Sequence, residues 1–501
     1  MNSFDKRPRR PGQPSSASAK DGQGTRPSSS ANRSNNNSGG KPQANKPAGA
    51  RKLSARDVAL NVLTDVESSG SYSNLQLNQA LLQAGLERAD AGLTTEIVYG
   101  TISHLNTIDY FLGRFVAKGM HKLQPWVRSL LRLSFYQIYY LDRIPPHAAV
   151  NEAVNIAKRR GHQGVSGMVN GVLRNVLRQL DELVIPEGLS AIQRIALHYS
   201  HPEWLVERWI GQFGETVTEQ ICMSNNEPPA VSVRVNTYAT TREQMLAMLN
   251  EAGYYAQPSA LAPDGILVGG SGNMALTDWY RDGLLSIQDE SSMLVAEAVQ
   301  PQPGMSVLDC CAAPGGKTAH LAEKMQNKGH IIANDIHEHK RKLIDDQAQR
   351  LHLSIIDTAV GDAMMLAERY PVASFDRILL DAPCSGLGVI RRKPDLKWNK
   401  SASDIKEIAA LQRRLLERIC GLLKPDGILV YSTCTIEQSE NEDVVRSFVE
   451  AHPEFEPVVV PLFTDKMTQD ASSDKTALGV QILPQHYHSD GFYIAALRRK
   501  A

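Results

Sequence analysis

Two cysteines lie just downstream of apolar runs that read as buried strands: Cys384 in Asp381-Ala382-Pro383-Cys384-Ser385, and Cys434 in Ser432-Thr433-Cys434. A cysteine beside a cationic partner or a helix start is held partly as thiolate, and the thiolate is the nucleophile. Upstream of both, Asp309-Cys310-Cys311-Ala312-Ala313-Pro314-Gly315-Gly316-Lys317 forms a glycine-rich turn of the kind that admits a nucleotide-like ligand. The combination predicts covalent catalysis beside a bound cofactor. Cys222, Cys310 and Cys420 stand in no such context and read as core thiols, since free cysteine is commonly buried.

The elements that must position these groups follow Pro303-Gly304. Short apolar strands at Met305 to Leu308, His330 to Asn334, Thr358 to Val360, Arg377 to Leu380 and Ile428 to Tyr431 alternate with helices. That alternation is the signature of a parallel α/β sheet, class I (Rossmann-like) in kind. Apolar runs around 481–483 and 492–497 close it with one antiparallel strand, and the polar stretch 464–475 between them reads as a loop. In such sheets ligands bind at the carboxyl ends of the strands, where an acid on the second strand holds ribose hydroxyls. Asp335 occupies that place, Asp362 follows the third strand where it can receive an adenine amine, and Asp381 ends the fourth. Gly316-Lys317-Thr318 is not a phosphate loop, because that motif requires glycine where Cys311 stands. Three acids without a phosphate site fit S-adenosylmethionine, which carries ribose and adenine but no phosphate. The competing role for Asp335 and Asp362 is helix capping.

Further upstream the chain changes character three times. Residues 1–52 are rich in Ser, Asn, Pro, Gly and Lys/Arg with few large apolar side chains, so they cannot offset the entropy of ordering and read as a disordered basic arm. Residues 53–185 are helical throughout, with apolar positions such as Val127, Leu130, Leu131, Phe135, Ile138 and Tyr139, and basic residues Lys158, Arg159, Arg160, Arg174 and Arg178 on the last helices. Residues 186–300 form a small α+β module, RRM-like in kind, and Gln288-Asp289-Glu290-Ser291-Ser292 starts a helix near its end. Residues 301–501 are the cofactor domain.

The 54 basic and 54 acidic residues cancel only on average, because the arm carries a net +9 and the rest of the chain −9. Six cysteines without a Cys-x-x-Cys pair fit neither a disulfide framework nor a zinc site, so no metal is expected and a reducing cytoplasm is the natural home. No apolar core of a signal peptide is present, and no apolar stretch approaches the roughly 18 residues needed to span a bilayer. A soluble monomer is expected.

C5 of cytosine is a poor nucleophile, so methylating it requires a thiolate to add at C6 and make an enamine. One Pro-Cys cysteine suffices in DNA cytosine methyltransferases; a second, in Thr-Cys context, departs from that pattern. The motifs Cys311-Ala-Ala-Pro-Gly-Gly-Lys317, Asp381-Ala-Pro-Cys-Ser385, Gly388-Val-Ile-Arg-Arg-Lys-Pro-Asp395 with Lys397-Trp398, and Ser432-Thr-Cys434 closely resemble those of the RsmB (Sun/Fmu-like) family of bacterial 16S rRNA 5-methylcytosine methyltransferases. Residues from Leu53 to about Arg178 resemble the NusB-like helical domain attached to that family.

The resemblance implies that Cys434 attacks C6 while Cys384 helps release the methylated product. It also implies that Asp381 bonds the cytosine edge and that Lys317 serves proton transfer. S-adenosylmethionine would be held by Cys311, Ala312, Ala313, Pro314, Gly315, Gly316, Lys317, Asp335, Asp362 and Asp381. The basic cluster Arg391, Arg392, Lys393 and Lys397 would meet the RNA backbone. The target implied is a flipped-out cytosine in small-subunit rRNA, at the equivalent of cytosine 967. Alternatives are 5-methylcytosine formation in transfer RNA and an RNA-binding module without activity.

Overall fold

Apolar residues recur at helical spacing along 53–184, and the chain there is helical. In a computed structural model of the protein, residues 53–70, 72–269, 273–460 and 478–501 are described; the basic arm and the loop at 464–475 lie outside the described residues. These fold as two compact units, one of residues 53–69, 75–101 and 111–184, the other of 70–74, 102–110 and 185–501.

In the first unit, Pro125 and Pro146 begin their helices, where a missing N–H costs nothing. Helix Pro125–Tyr140 is buried nearly all round, with Leu130, Leu131, Phe135 and Ile138 among its core residues, whereas Pro146–Arg160 and Gln163–Arg178 bury one face each, including Val150 and Ile156, then Val169 and Leu173. Phe135 stacks on Phe111 and Tyr139, with ring centroids 6.1 and 5.4 Å apart. The basic residues of the last helices are exposed, and Arg159 reaches both carboxylate oxygens of Asp57 at 3.0 Å.

The second unit holds two sheets. The smaller is antiparallel, ordered β2-β3-β1-β4, from β1 (Ser232–Val235), β2 (Tyr255–Pro258), β3 (Gly265–Gly269) and β4 (Leu285–Ile287). The larger contains β5 (Ser306–Asp309), β6 (His330–Asp335), β7 (Ile356–Val360), β8 (Phe375–Asp381), β9 (Leu423–Thr433), β10 (Phe455–Pro457), β11 (Val480–Ile482) and β12 (Phe492–Arg499). Its order is β10-β12-β9-β8-β5-β6-β7, with β11 also on β12. Strands β5 to β9 are parallel, whereas β12 runs antiparallel to β9, and β10 and β11 run antiparallel to β12. The one antiparallel strand expected from the sequence is β12; β10 and β11, three residues each, oppose β12 and so run in the direction of β9.

Helices cover both faces of the large sheet, so its central strands read as unbroken apolar runs. Val307, Leu379, Val430 and Ile494 pack on one side with Leu294 and Leu321; Leu308, Ile378, Leu380, Leu429 and Tyr431 pack on the other with Leu415, Leu416 and Val444. Two segments depart from the expected 186–300 module. Helix Glu290–Val299, capped by Asp289 as expected, packs onto the large sheet. Helices Ala191–His198, Glu203–Phe213 and Glu215–Ser224 share a core with Leu387, Ile390, Leu396, Ile436 and Leu483, from segments that follow the large sheet's strands. Their apolar faces show that they are buried but not against which sheet.

A buried ion pair joins the small sheet to the glycine-rich turn. Arg234 of β1 donates to Glu323 at 2.9 and 2.7 Å and to the Gly316 carbonyl at 2.7 Å, and neither charged side chain of the pair is exposed. Breaking such a pair strands the partner's charge in a dry site. Arg234→Met is therefore expected to lower unfolding stability by about 3–5 kcal/mol, read as a lower urea midpoint; an unchanged midpoint contradicts this account.

Candidate active site

The glycine-rich turn is held from beneath by groups without an obvious sequence signature. Asn334 donates to the carbonyls of Cys310 and Gly361, both at 3.0 Å, tying the turn after β5 to the one after β7. Gly315 has φ 100°, and a Cβ there would lie 3.1 Å from the Ile344 Cα, so both conformation and space require glycine. Thr318 donates to Asp309 at 2.6 Å, while the other Asp309 carboxylate oxygen is buried without a partner. Burial pushes the Asp309 carboxyl up to about 7.

Asp335 is buried and accepts N–H bonds from Ala313 at 3.3 Å and His337 at 3.0 Å. Asp362 is exposed and accepts from the Met364 N–H at 2.9 Å, as a helix cap does. Asp362 thus carries the capping contact that competes with the ligand-binding role, whereas Asp335 lies before the N-cap residue His337 of the next helix. Only Asp335 braces the glycine-rich turn.

Parallel pairing of β8 with β9 brings the two cysteines together. Asp381 is in register with Ser432, and the chain continues from each into a cysteine within three residues. The Cys384 and Cys434 sulfurs lie 3.3 Å apart. Next to them Ser385 and Thr435 hydroxyls meet at 2.8 Å, and Gly388 donates to the Cys434 carbonyl at 3.0 Å. Gly491 in turn donates to Gly388 at 2.8 Å, and a Cβ on Gly388 would fall 2.0 Å from the Gly491 oxygen. Behind Cys384, Glu440 accepts from Ser385 N–H at 2.8 Å and from Gln412 at 3.1 Å. Gln412 and Glu440 gave no sign in the sequence; Gln412 lies on the buried face of Ala402–Ile419 amid apolar residues, which is the signal that could have marked it.

Lys317 donates to Asp381 at 2.7 Å, the other Asp381 oxygen accepts from Ser432 at 2.9 Å, and the ammonium lies 5.1 Å from the centre of the Phe492 ring. Burial works against the Lys317 charge, yet Asp381 outweighs it and the net pKa is raised. The two thiols diverge. The hydrogen bond from Cys384 lowers Cys434, with Lys317 and Lys393 adding to it against burial and Asp381. The same bond, then burial and the charges of Cys434 and Glu440, pushes Cys384 well above the ordinary thiol range.

The expected RNA-facing cluster separates. Lys397 is fully buried, donating to the carbonyls of Ser103 at 2.8 Å and Ser200 at 2.9 Å and to Asn226 at 3.1 Å. Arg391 is 9% exposed and donates to the carbonyls of Ser224, His488 and Pro484. Arg392 is paired with Asp289 and Asp490. Only Lys393 of the four is exposed; Arg391 and Lys397 spend their charges on buried protein acceptors, which corrects the expectation of backbone contact for those two, while the partly exposed Arg392 is held by two acids. Iodoacetamide at neutral pH is expected to alkylate Cys434 ahead of Cys384, followed by peptide mass spectrometry; equal labelling would contradict the thiol asymmetry.

Residues 296–498 match the 16S rRNA methyltransferase RsmB/F family, residues 53–178 the NusB family, and residues 201–275 the RsmF/B-like ferredoxin-like domain. A protein of Bacillus subtilis (strain 168) named probable ribosomal RNA small subunit methyltransferase B is 43% identical over 90% of this chain and 100% of its own length. A ribosomal RNA small subunit methyltransferase B of Serratia proteamaculans (strain 568) is 37% identical over 83% of this chain and 92% of its own. The crystal structure of PH0851 superposes with a TM-score of 0.75 at 29% identity, covering 90% of this chain and all of that one. Helical, ferredoxin-like and catalytic regions all find their match in one chain aligned with relatives end to end, and the protein belongs to the RsmB/F family of 16S rRNA methyltransferases.

Proposed function

We propose that the protein methylates C5 of a cytosine in small-subunit ribosomal RNA with S-adenosylmethionine as donor, through a covalent bond between Cys434 and C6. The observation that carries this is the pair of sulfurs 3.3 Å apart, one thiol lowered and the other raised, beside the Lys317–Asp381 ion pair. A nucleophile needs its thiolate at neutral pH, and a second group that leaves or delivers a proton needs its hydrogen. Cys434 fits the first task and Cys384 the second. The names borne by the relatives support ribosomal over transfer RNA as substrate.

The residues present fit the cofactor. A Cβ on Gly316 would meet open space, the unpartnered Asp309 oxygen lies buried beneath the turn, and Asp335 stands at the end of β6. The turn Cys311 to Lys317 with Asp335, Asp362 and Asp381 would hold S-adenosylmethionine, which supplies an electrophilic methyl group. Cys434 adds to C6 of the cytosine, which turns C5 into a nucleophile. Asp381 bonds the cytosine edge as charge develops at N3. Lys317, kept as an ammonium by Asp381, donates a proton rather than taking one. After the methyl has moved, the C5 proton passes to solvent water as the C5–C6 double bond re-forms and the Cys434 thiolate leaves C6, a departure that Cys384 assists.

Reaching a thiolate and a methyl group together requires the base to leave any stack, so a loop or junction is the expected target. Lys393, exposed beside the site, supports RNA-backbone contact there. Among the described residues no helix is long and apolar enough to cross a membrane. We read the enzyme as a cytoplasmic monomer.

With labelled S-adenosylmethionine and unmodified 16S rRNA, the wild-type protein is expected to label cytosine, Cys434→Ala to label none, and Cys384→Ala to accumulate a denaturant-resistant protein–RNA adduct. Labelling of transfer RNA alone would overturn the substrate, and an adduct in Cys434→Ala would reverse the cysteines.

A further inference from the structure

The segment after Cys384 carries Arg392, whose charge faces protein. Its Nε donates to both carboxylate oxygens of Asp490, at 3.0 and 2.8 Å, and a terminal nitrogen donates to Asp289 at 2.7 Å. Both carboxylates are nearly buried, with side-chain exposures of 7% for Asp490 and 8% for Asp289. Asp289 caps helix Glu290–Val299 through the Ser291 N–H at 3.0 Å and accepts the Asp490 N–H at 3.1 Å. One guanidinium therefore gathers a helix start, the turn before β12 and the segment after Cys384.

This cluster adjoins the nucleophile's backbone. Asp490 immediately precedes Gly491, whose N–H bonds the Gly388 carbonyl, and the Gly388 N–H bonds the Cys434 carbonyl. The Gly388–Gly491 approach has no room for a methyl group, so a small displacement of either strand of chain reaches the other. Without Arg392, two nearly buried acids would face each other with no hydrogen-bonded counter-charge, leaving only the more distant field of Arg391. Burial and Asp289 already push the Asp490 carboxyl up to about 7.

We infer that Arg392 is a positioning residue for methyl transfer: through Asp490 and the Gly388–Gly491 contact it fixes the backbone of Cys434, and it does not bind RNA phosphate. The inference rests on Cys434 being the nucleophile. A displacement of about 1 Å at a reacting group can cost on the order of 100-fold in rate, so the effect belongs in the chemical step and not in binding.

The test uses full-length Arg392→Met, Arg392→Lys and Asp490→Asn, the last loosening the same cluster from its acidic side should Arg392→Met fail to fold. Binding of 16S rRNA is measured across salt concentrations, and adduct formation is timed under single turnover with S-adenosylmethionine. The expected result is a dissociation constant and salt slope within about twofold of wild type, an adduct rate lowered roughly 10- to 100-fold in Arg392→Met and Asp490→Asn, and partial recovery in Arg392→Lys. A salt slope reduced by about one, the mark of a lost phosphate contact, overturns the inference whatever the rate does, and so does an unchanged adduct rate. Cys434→Ala run in parallel separates the two readings. An adduct that survives it refutes the nucleophile itself, whereas an adduct that it abolishes but Arg392→Met forms at the wild-type rate refutes the positioning alone.

Discussion

The ion pair between Lys317 and Asp381 is the constraint on which the site depends. It ties the first residues of helix Gly316–Lys324 to the end of β8, and Asp381 extends the tie to Ser432 at the end of β9. A half-buried ammonium keeps its charge only with such a partner, and that charge is among those that lower Cys434. The glycine-rich turn, Asp381 and Cys434 are thus one electrostatic unit, with the Lys317 charge acting on the thiol.

The surrounding scaffold works to keep that unit in register. Below it, Asn334 and Thr318 hold the turn; behind it, Gln412 and Glu440 hold the Pro-Cys strand of chain; beside it, Gly388 and Gly491 press the two cysteine-bearing segments together. The small sheet contributes from outside the large sheet, since Arg234 reaches the Gly316 carbonyl at the start of helix Gly316–Lys324. The small module is thus a brace for the glycine-rich turn.

Much of this was legible in the chain. Strand-end acids, the glycine-rich turn and both cysteine motifs are local patterns, and buried parallel strands announce themselves as apolar runs such as Ile428 to Val430. The closeness of Cys384 to Cys434 was not legible, because it follows from β8 and β9 being neighbours, a property of strand order and not of either segment. The basic cluster misled for a related reason: charge along a sequence says nothing about which acids or carbonyls the fold will bring to it. Arg391 and Lys397 meet partners from residues 224 and 103, far away in the chain.

The buried Lys397 has a bearing on biosynthesis. Its acceptor Ser103 precedes it by 294 residues, and Trp398 bonds the Ile102 carbonyl across 296. At roughly 5–20 residues per second of translation, the carbonyls at the end of that early helix wait on the order of 15–60 s for their donors. The helical region can gather its own core while still being extruded by the ribosome, but its segment 102–110 belongs to a unit finished only near the end of synthesis. Nascent chains stalled before residue 397 would hold these carbonyls without their final donors, and completion of the enzyme is tied to completion of its message.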